Sequence, residues 1–526
     1  MKVFAAIFIF FLLFSCQEGK APVEKYFLVD TTLTVNQKME RIVTASYLSH
    51  LSVDSTIQKE IIAFYSARHY YPVLANDSTL TDRGLELSRS LEASIRFGIP
   101  SSRLIAISKK LHPLEKEVLL LSNFASASTD IRKGFIDFEK QKLRPKSVDK
   151  SLFSRAWYQS KSAPFDTVLL AQGPIDTNYR FLAQHFFHYC DTAYLDAKII
   201  RVKEEKDHEK RAFDQATASL LSKRYLSEQA DSLTVRSAIK QFQKDNGLRP
   251  DGQLSEATAK ALTESTLEKV LRGAISLDRM RQKSETLEKY VRINIPSFEL
   301  FFFAKDSLKS HHRIIVGKVT NQTPTLSSNI NRIVCFPFWK VPSSICQKEI
   351  LPALKSNRNY LAKNHMKIMR GKDKEANPDK VNWKKIKANT FPYTVIQQPG
   401  IDNSLGIIKF EFPNPFSVYV HDTPSKSLFN QSYRSYSHGC MRCEHPVELA
   451  KVMLQYDSLG TKGNPLTPDS LDSLLTLKQN YPIKLMSEIP IFVEYQTVVA
   501  DRTGIYFHHD LYGRETALVK ILLNGK

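Results

Sequence analysis

The sequence has little of what builds disulfide-stabilised or fibrous proteins. Its 526 residues include only six cysteines, 18 glycines and 24 prolines. Six cysteines are too few to hold a chain of this length together by disulfides, and so little glycine and proline excludes a collagen-like or low-complexity chain. Hydrophobic residues make up 42% and charged residues 24%, which is typical of folded domains. At about 150 residues per domain, the length predicts roughly three domains.

The apolar run at the N-terminus is too short to be an ordinary membrane span, which needs about 20 residues. Twelve apolar residues, 3–14, follow Lys2, and this arrangement is typical of an export signal. Residues 13–16, Leu-Phe-Ser-Cys, resemble a bacterial lipobox. Cys16 would then be lipidated, become the first mature residue and anchor the protein to the outer or inner membrane. Ordinary cleavage that removes Cys16 is the alternative, and both readings predict export to the periplasm.

Acidic residues are in short supply. Lys and Arg number 74 against 54 Asp and Glu, so the formal charge is 74 − 54 = +20. This excess predicts anionic surroundings such as nucleic acid, a membrane surface or an acidic polymer, and export argues against a nucleic-acid partner. Part of the charge is local, because residues 353–387 contain eleven Lys/Arg and three Asp/Glu, a balance of 11 − 3 = +8.

The spacing of apolar residues predicts a multi-domain chain, α-helical first and mainly β later. The later half begins near Tyr290, where apolar and polar residues start to alternate, and we expect a β-sandwich-like domain there with a helical, basic insertion. The predicted boundaries are a signal peptide at 1–16, a tether at 17–57, a helical scaffold at 58–221, a three-helix module at 222–275, and the β-rich domain at 289–526 with its insertion at 343–393.

The β-rich half contains the residue types that thiol-dependent acyl transfer requires. This chemistry needs a cysteine thiolate, an imidazole that accepts the thiol proton, and an acceptor that orients the imidazole. It also needs backbone N–H donors where an oxyanion develops, and a glycine beside the cysteine lets the backbone approach the substrate. His421, Gly439 and Cys440 supply these types, so we identify them as candidate catalytic residues.

The spacing of these residues resembles the signature of the L,D-transpeptidase family. That signature is a His, about 15 residues, and then Ser/Thr-His-Gly-Cys-x-Arg. In this sequence 15 residues separate His421 from Ser437, which begins Ser-His-Gly-Cys-Met-Arg-Cys. The wider resemblance is to the long, multi-domain periplasmic branch of the family and extends from about residue 58 to the C-terminus. In that branch, the helical half is a scaffold and the basic insertion falls where a substrate-capping subdomain lies.

The resemblance implies a role for each matching residue. Cys440 would be the nucleophile and His421 the general base, oriented by the backbone carbonyl of Asp422. The backbone amides of His438, Gly439 and Cys440 would form the oxyanion hole. Arg442 would brace the loop or contact a substrate carboxylate, and Tyr419 and Trp339 would line the donor cleft. The implied substrate-binding set is Tyr419, Trp339, Arg442, Ser437 and Asp422.

The predicted module resembles the small three-helix peptidoglycan-binding module, and a helical spacer without glycan contact is the alternative. The matching positions are Ile239, Phe242, Gln243, Gly247, Leu248, Asp251, Gly252, Thr258 and Leu262.

The cysteines allow other readings. A zinc site of His438, Cys440, Cys443 and His445 is disfavoured, because one crowded stretch of eight residues fits tetrahedral ligation poorly. Cys440 and Cys443 also have the spacing of a redox dithiol, but no βαβ pattern surrounds them. We therefore expect no metal and no cofactor.

Two questions about thiols stay open at this stage. Cys443 is interpreted as a small hydrophobic residue, and a thiol that can lock Cys440 in a disulfide is the alternative. Cys335 and Cys346 could form a disulfide in an exported protein or remain buried thiols.

The function that the resemblance implies is the formation of 3→3 cross-links in peptidoglycan, with diaminopimelate-containing stem peptides as substrate and carbapenems as acylating inhibitors. Water as acceptor would make the enzyme a carboxypeptidase. A non-catalytic lipoprotein that anchors peptidoglycan is the alternative from another class. The sequence does not identify partner enzymes of the cell wall.

Overall fold

In the computed structural model the chain is described for residues 26–192, 199–203, 209–227, 231–282, 287–305, 307–371, 374–457 and 466–524. It divides into two compact units. The first comprises Met1–Asp191, Leu277–Lys283 and Leu518–Lys526, and the second Thr192–Ser276 and Ser284–Ala517. Cys16 and the predicted signal peptide lie outside the described residues. Among the helices within these ranges, none combines the length and the apolar character that crossing a membrane requires.

The first unit is helical. Its helices are α1 (Tyr26–Val29), α2 (Val35–Ile42), α3 (Ala45–His50), α4 (Ser55–Ser66), α5 (Asp82–Glu92), α6 (Pro113–Lys133), α7 (Lys150–Gln159), α8 (Phe165–Ala171) and α9 (Thr177–Thr192), with a short hairpin of β1 (Ile136–Asp137) and β2 (Lys142–Leu143). Helix α6 is buried along most of its length. Its buried carboxylates have partners, since Glu117 accepts hydrogen bonds from the Tyr65 hydroxyl and two backbone amides, and Asp130 pairs with Arg103. Buried charges need such pairing, so α6 is the centre of this unit.

Residues 26–57 belong to the segment 17–57, predicted as a tether with an early helix, and helices packed into the core take the place of the tether here. Helices α2 and α3 bury Met39, Ile42, Tyr47 and Leu48, and the Tyr47 hydroxyl donates a 2.8 Å hydrogen bond to Glu115 of α6. The two helices have eight and six residues. An apolar pattern of one or two turns is too short to be recognised by its period, which is why the sequence suggested a tether.

The second unit begins with a small helical module. Its helices are α10 (Glu209–Ser222), α11 (Ser232–Asp245), α12 (Glu256–Thr263) and the first part of α13 (Thr266–Arg281). Ala212, Ala216 and Leu220 of α10 are in one apolar cluster with Ile239 and Phe242 of α11. The module therefore includes α10, and the predicted boundary at residue 222 lies one helix too late.

The rest of this unit is mainly β. Its strands are β3 (Lys289–Asn294), β4 (Glu299–Ala304), β5 (Ser307–Gly317), β6 (Leu326–Cys335), β7 (Trp339–Lys340), β8 (Met366–Arg370), β9 (Lys374–Ala376), β10 (Tyr393–Gln397), β11 (Ile408–Glu411), β12 (Val420–His421), β13 (Ser435–Ser437), β14 (Met441–Cys443), β15 (Tyr481–Glu494), β16 (Val498–Ala500) and β17 (Ile505–Phe507). The helices are α14 (Ser343–Ile345), α15 (Leu351–Ser356), α16 (Tyr360–Lys363), α17 (Pro446–Gln455), α18 (Pro468–Thr476) and α19 (Thr516–Asn524), whose last residues cluster with the first unit.

The main sheet is mixed and closes on itself. Its order is β13-β5-β14-β12-β11-β6-β15-β3-β4, and β4 also pairs with β5. Strands β12 and β14 are parallel, whereas β11 and β12 are antiparallel. The inward side chains of these strands form one apolar core together with α17 and α18. This confirms the predicted class, a helical region followed by a β-rich domain.

The sequence predicted a helical insertion, and this prediction is wrong in part because the insertion also contains a sheet. It combines α14, α15 and α16 with an antiparallel sheet of order β7-β10-β8-β9. It has its own apolar cluster around Leu351, Leu354, Ile368, Trp383 and Val395. In β8, buried apolar residues alternate with basic ones over only five residues. This alternation is too short to predict a strand in a segment so rich in lysine.

Candidate active site

The strand register brings the predicted nucleophile and base to one place. Val420 of β12 lies opposite Met441 of β14, and His421 lies opposite Arg442. The Met441 amide donates a 3.0 Å hydrogen bond to the Tyr419 carbonyl, so Cys440 is beside Tyr419. Val420 and Met441 are buried in the core. Because side chains alternate along strands, Tyr419, His421, Cys440 and Arg442 share the other face.

His421 is held as a neutral base. Its Nδ1 is 2.5 Å from the Asp422 carbonyl oxygen, so we assign the proton to Nδ1, which leaves Nε2 as the acceptor. Burial, together with the nearby Arg442 charge, lowers the pKa of His421 to about 3. The orientation by the Asp422 backbone that the sequence resemblance implied is present in this geometry.

Cys440 is largely buried and lies against Tyr419. Burial raises the pKa of its thiol, and hydrogen bonds from the Tyr419 backbone and hydroxyl act in the opposite direction. The Tyr419 hydroxyl is also hydrogen-bonded to Trp339, and the Tyr419 ring is 5.5 Å from the His421 ring. Tyr419 therefore contacts Cys440, the predicted nucleophile, and Trp339 contacts Tyr419; the sequence predicts the donor cleft here.

The loop that carries the nucleophile is held by Ser437. The Ser437 hydroxyl accepts a 3.1 Å hydrogen bond from the Gly439 amide and donates one of 2.5 Å to the Cys440 carbonyl. The φ angle of Gly439 is +119°, a conformation that favours glycine. Ser437 is buried, with 2% of its surface exposed, so its hydroxyl serves the loop. The Gly439 amide is hydrogen-bonded within the loop, and its role in an oxyanion hole stays a prediction.

Asp422 and Arg442, two other predicted site residues, differ in whether their charged groups have partners. The Asp422 carboxylate accepts a 3.0 Å hydrogen bond from the Ile407 amide and pairs with Lys426. It also fills the space beside Gly406, where an added Cβ would be 2.2 Å from a carboxylate oxygen. The Asp422 carboxylate thus stabilises the loop around Gly406 and Ile407. Arg442 has no hydrogen-bond or ion-pair partner within the described ranges, so its guanidinium can meet an anion.

The insertion contributes a residue that sequence reasoning missed. Glu349, between α14 and α15, is 2.6 Å from His438 Nε2. The side chain of His438 is therefore paired with the insertion, while its backbone stays in the nucleophile loop. No local pattern around Glu349 marks it, because the contact depends on how the insertion folds back.

Three other cysteines, Cys335, Cys346 and Cys443, are buried, whereas Cys190 is partly exposed. Cys443 is in the main core, with Sγ 3.2 Å from the Glu444 carbonyl oxygen, and Cys335 is in the same core. Cys346 is in the separate cluster of the insertion. These cysteines are all free. Three or more His, Cys, Asp or Glu side chains that could hold a metal ion are not grouped anywhere in the described part of the chain.

In the helical module the motif residues serve the fold. Gln243 is buried, and its amide nitrogen donates to Asp251 Oδ1, the Gln253 carbonyl and Thr258 Oγ1 at 2.9–3.1 Å. Its amide oxygen accepts a 2.8 Å hydrogen bond from the Gly252 amide. Ile239, Phe242 and Leu262 are core residues. The motif is thus explained by loop and core geometry.

Comparison with known proteins finds matches to two stretches of the second unit. Residues 288–466 match the YkuD family, described as the L,D-transpeptidase catalytic domain. Residues 229–262 match the family described as "Putative peptidoglycan binding domain". A Haemophilus influenzae protein named "Putative L,D-transpeptidase" is 31% identical over 221 residues, 42% of this chain and 43% of that protein. The match therefore spans less than half of the relative's length.

Two solved structures are also similar. An L,D-transpeptidase from Mycobacterium smegmatis has 13% identity and a TM-score of 0.18, covering 39% of this chain and 58% of that one. An L,D-transpeptidase from Stackebrandtia nassauensis has 13% identity and a TM-score of 0.18, covering 58% of this chain and 97% of that one. Residues 288–466 of the chain are thus similar to the L,D-transpeptidase catalytic domain of the YkuD family, and they are preceded by a region similar to a peptidoglycan-binding domain.

Proposed function

We propose that this protein is a cysteine-dependent L,D-transpeptidase that forms 3→3 cross-links in peptidoglycan. The observation that carries the proposal is the parallel pairing of β12 with β14. It brings His421, oriented by the Asp422 carbonyl, to the strand neighbouring Cys440. The matched catalytic and peptidoglycan-binding domains support peptidoglycan as the substrate.

The first half-reaction forms a thioester. His421 Nε2 accepts the proton of the Cys440 thiol, and Sγ attacks the carbonyl carbon of diaminopimelate, the third residue of a tetrapeptide stem. The carbonyl electrons move to oxygen, where backbone N–H groups stabilise the charge. The C–N bond then breaks, and the D-Ala amine leaves with the proton from His421.

The second half-reaction transfers the acyl group. The side-chain amine of a diaminopimelate on a neighbouring stem attacks the thioester carbon, and His421 accepts its proton. The C–S bond breaks, and the proton returns to Cys440. Attack by water instead would leave a tripeptide stem, which is the carboxypeptidase alternative. The insertion, which contacts His438 through Glu349, would favour transfer if it excludes water from the thioester.

The charges around the site fit a substrate with free carboxylates. Arg442 has no anionic partner within the described ranges and is adjacent in sequence to the nucleophile loop. We propose that its guanidinium binds a carboxylate of the donor stem, a geometry that suits arginine. The proposal also includes export to the periplasm and lipid attachment at Cys16, which the N-terminal sequence supports, and acylation of Cys440 by carbapenems.

The test is a comparison of the wild type with Cys440→Ala on purified sacculi, followed by analysis of muropeptides. Cys190→Ala, in α9 of the helical unit, is the matched control for loss of a thiol. We expect 3→3 dimers with the wild type and Cys190→Ala, and none with Cys440→Ala. Tripeptides without dimers would establish the carboxypeptidase. Neither product above the level of Cys440→Ala would refute catalysis and favour the anchoring lipoprotein.

A further inference from the structure

Thr323, in the loop between β5 and β6, contacts the nucleophile loop from inside the domain. Its side chain is fully buried. Its hydroxyl donates a 2.9 Å hydrogen bond to the Gly439 carbonyl and accepts one of 2.9 Å from the Gly317 amide. The hydroxyl therefore both donates and accepts a hydrogen bond within the protein.

Tyr512 holds Thr323 in this position. The Thr323 amide donates a 3.1 Å hydrogen bond to the Tyr512 hydroxyl, and that hydroxyl donates one of 2.7 Å to the Gly317 carbonyl. The backbone and the side chain of Thr323 are thus fixed separately. Because Thr323 is held at both places, its hydroxyl can fix the position of the Gly439 carbonyl that it contacts.

The contact is with the peptide that precedes the nucleophile. The Gly439 carbonyl belongs to the same planar unit as the Cys440 N–H, and in a trans peptide the two point in opposite directions. Holding the carbonyl therefore sets the direction of the N–H. Gly439 would not do this alone, because a glycine at a φ of +119° has other backbone conformations open to it.

We propose that Thr323 is a positioning residue that aims the Cys440 N–H at the oxyanion of the acyl-transfer step. The Gly439 amide donates to Ser437, whereas the Cys440 amide has no acceptor in the described part of the chain. The inference rests on the proposed thioester chemistry. It concerns the moment when the Sγ–C bond forms and the carbonyl electrons move to oxygen.

The experiment compares a reaction that develops an oxyanion with one that does not. The first is release of D-Ala from a purified tetrapeptide muropeptide. The second is alkylation of Cys440 by iodoacetamide, in which Sγ displaces iodide and no oxyanion forms. For Thr323→Val we expect kcat for D-Ala release to fall about 100- to 1,000-fold, as for the loss of one oxyanion donor. KM and the alkylation rate should stay within about threefold of the wild type.

Two further variants keep the test decisive. Thr323→Ser retains the hydroxyl and should restore kcat to within about fivefold of the wild type. Tyr512→Phe releases the Thr323 backbone without cutting into the core, and should lower kcat about tenfold with alkylation unchanged, even if Thr323→Val does not fold. Folded Thr323→Val or Tyr512→Phe with wild-type kcat would overturn the inference. Absence of D-Ala release by the wild type would instead overturn the proposed function.

Discussion

At the scale of residues, Cys440 and His421 begin as a neutral pair. Burial raises the pKa of the thiol and lowers the pKa of the imidazole to about 3. Near neutral pH the thiol therefore keeps its proton and the imidazole has none. The proton therefore moves during attack on the substrate, and a resting thiolate–imidazolium pair is not what these surroundings favour.

This state predicts the pH dependence of the free thiol. Burial raises the pKa of the thiol above its ordinary range, so the thiol is mainly protonated at pH 7. Because the thiolate fraction rises with pH, alkylation by iodoacetamide should rise continuously from pH 6 to pH 10. Mass spectrometry of the Cys440 peptide measures it. A reactive plateau below pH 7 would contradict the neutral pair.

The His421→Gln variant separates the base from the thiol. Since His421 does not hold a resting thiolate, its loss should leave alkylation at pH 7 within about threefold of the wild type. D-Ala release should fall by about 100- to 10,000-fold, the usual contribution of a general base. If both rates fall together, His421 activates the resting thiol and the assignment of neutral forms is wrong.

At the scale of elements, the helical module depends on one buried side chain. Gln243 of α11 makes three hydrogen bonds to the loop before α12 and a fourth to Thr258 of α12 itself. In the same loop, Gly247 has a φ of +62°, and an added Cβ would be 2.5 Å from the His508 ring. The module therefore packs closely against His508 of the same unit at Gly247, where a larger residue would not fit.

We expect Gln243→Ala to loosen the module locally. Removing the amide leaves buried partners unsatisfied, which costs about 2 kcal/mol. The Gly252 amide, which donates to Gln243, should then exchange its hydrogen about 30-fold faster in a hydrogen-exchange experiment. Gln241→Ala is the matched control, because that side chain is exposed and contacts only Asp245 in a hydrogen bond. Equal protection in both variants would show that the network does not hold the loop.

At the scale of the whole molecule, the basic insertion concentrates the excess charge of the chain. Its described lysines and arginines are exposed, and only Lys367 of them is paired, with Glu375. Such a surface attracts anionic groups, and salt weakens the attraction. Stem peptides carry free carboxylates, so the charge supports substrate capture by the proposed enzyme.

Neutralising Lys384, Lys385 and Lys387 together with glutamine tests this. We expect KM for the tetrapeptide muropeptide to rise about three- to tenfold, with kcat little changed and a smaller dependence of KM on salt. The same change at Lys59, Lys110 and Lys150, exposed in the helical unit, removes equal charge and should leave KM unchanged. An equal rise in both triple variants would mean that only the net charge matters.

The sequence by itself was enough to predict the candidate residues of the chemistry and the order of a helical region and a β-rich domain. His421 and the run from Ser437 to Arg442 are recognisable because the nucleophile loop is short and contiguous, and its glycine is required by the backbone there. The change of apolar period near Tyr290 predicted the change from helix to strand, since periodicity follows directly from which faces are buried.

Only the tertiary structure decided what holds these residues in place. The hydrogen bonds of Thr323 with Gly439 and the contact of Glu349 with His438 join segments far apart in the chain. Short helices such as α2 and α3 became core elements because α6 covers their apolar faces. Such contacts depend on strand register and packing, which many residues set together, so no local pattern in the sequence contains them.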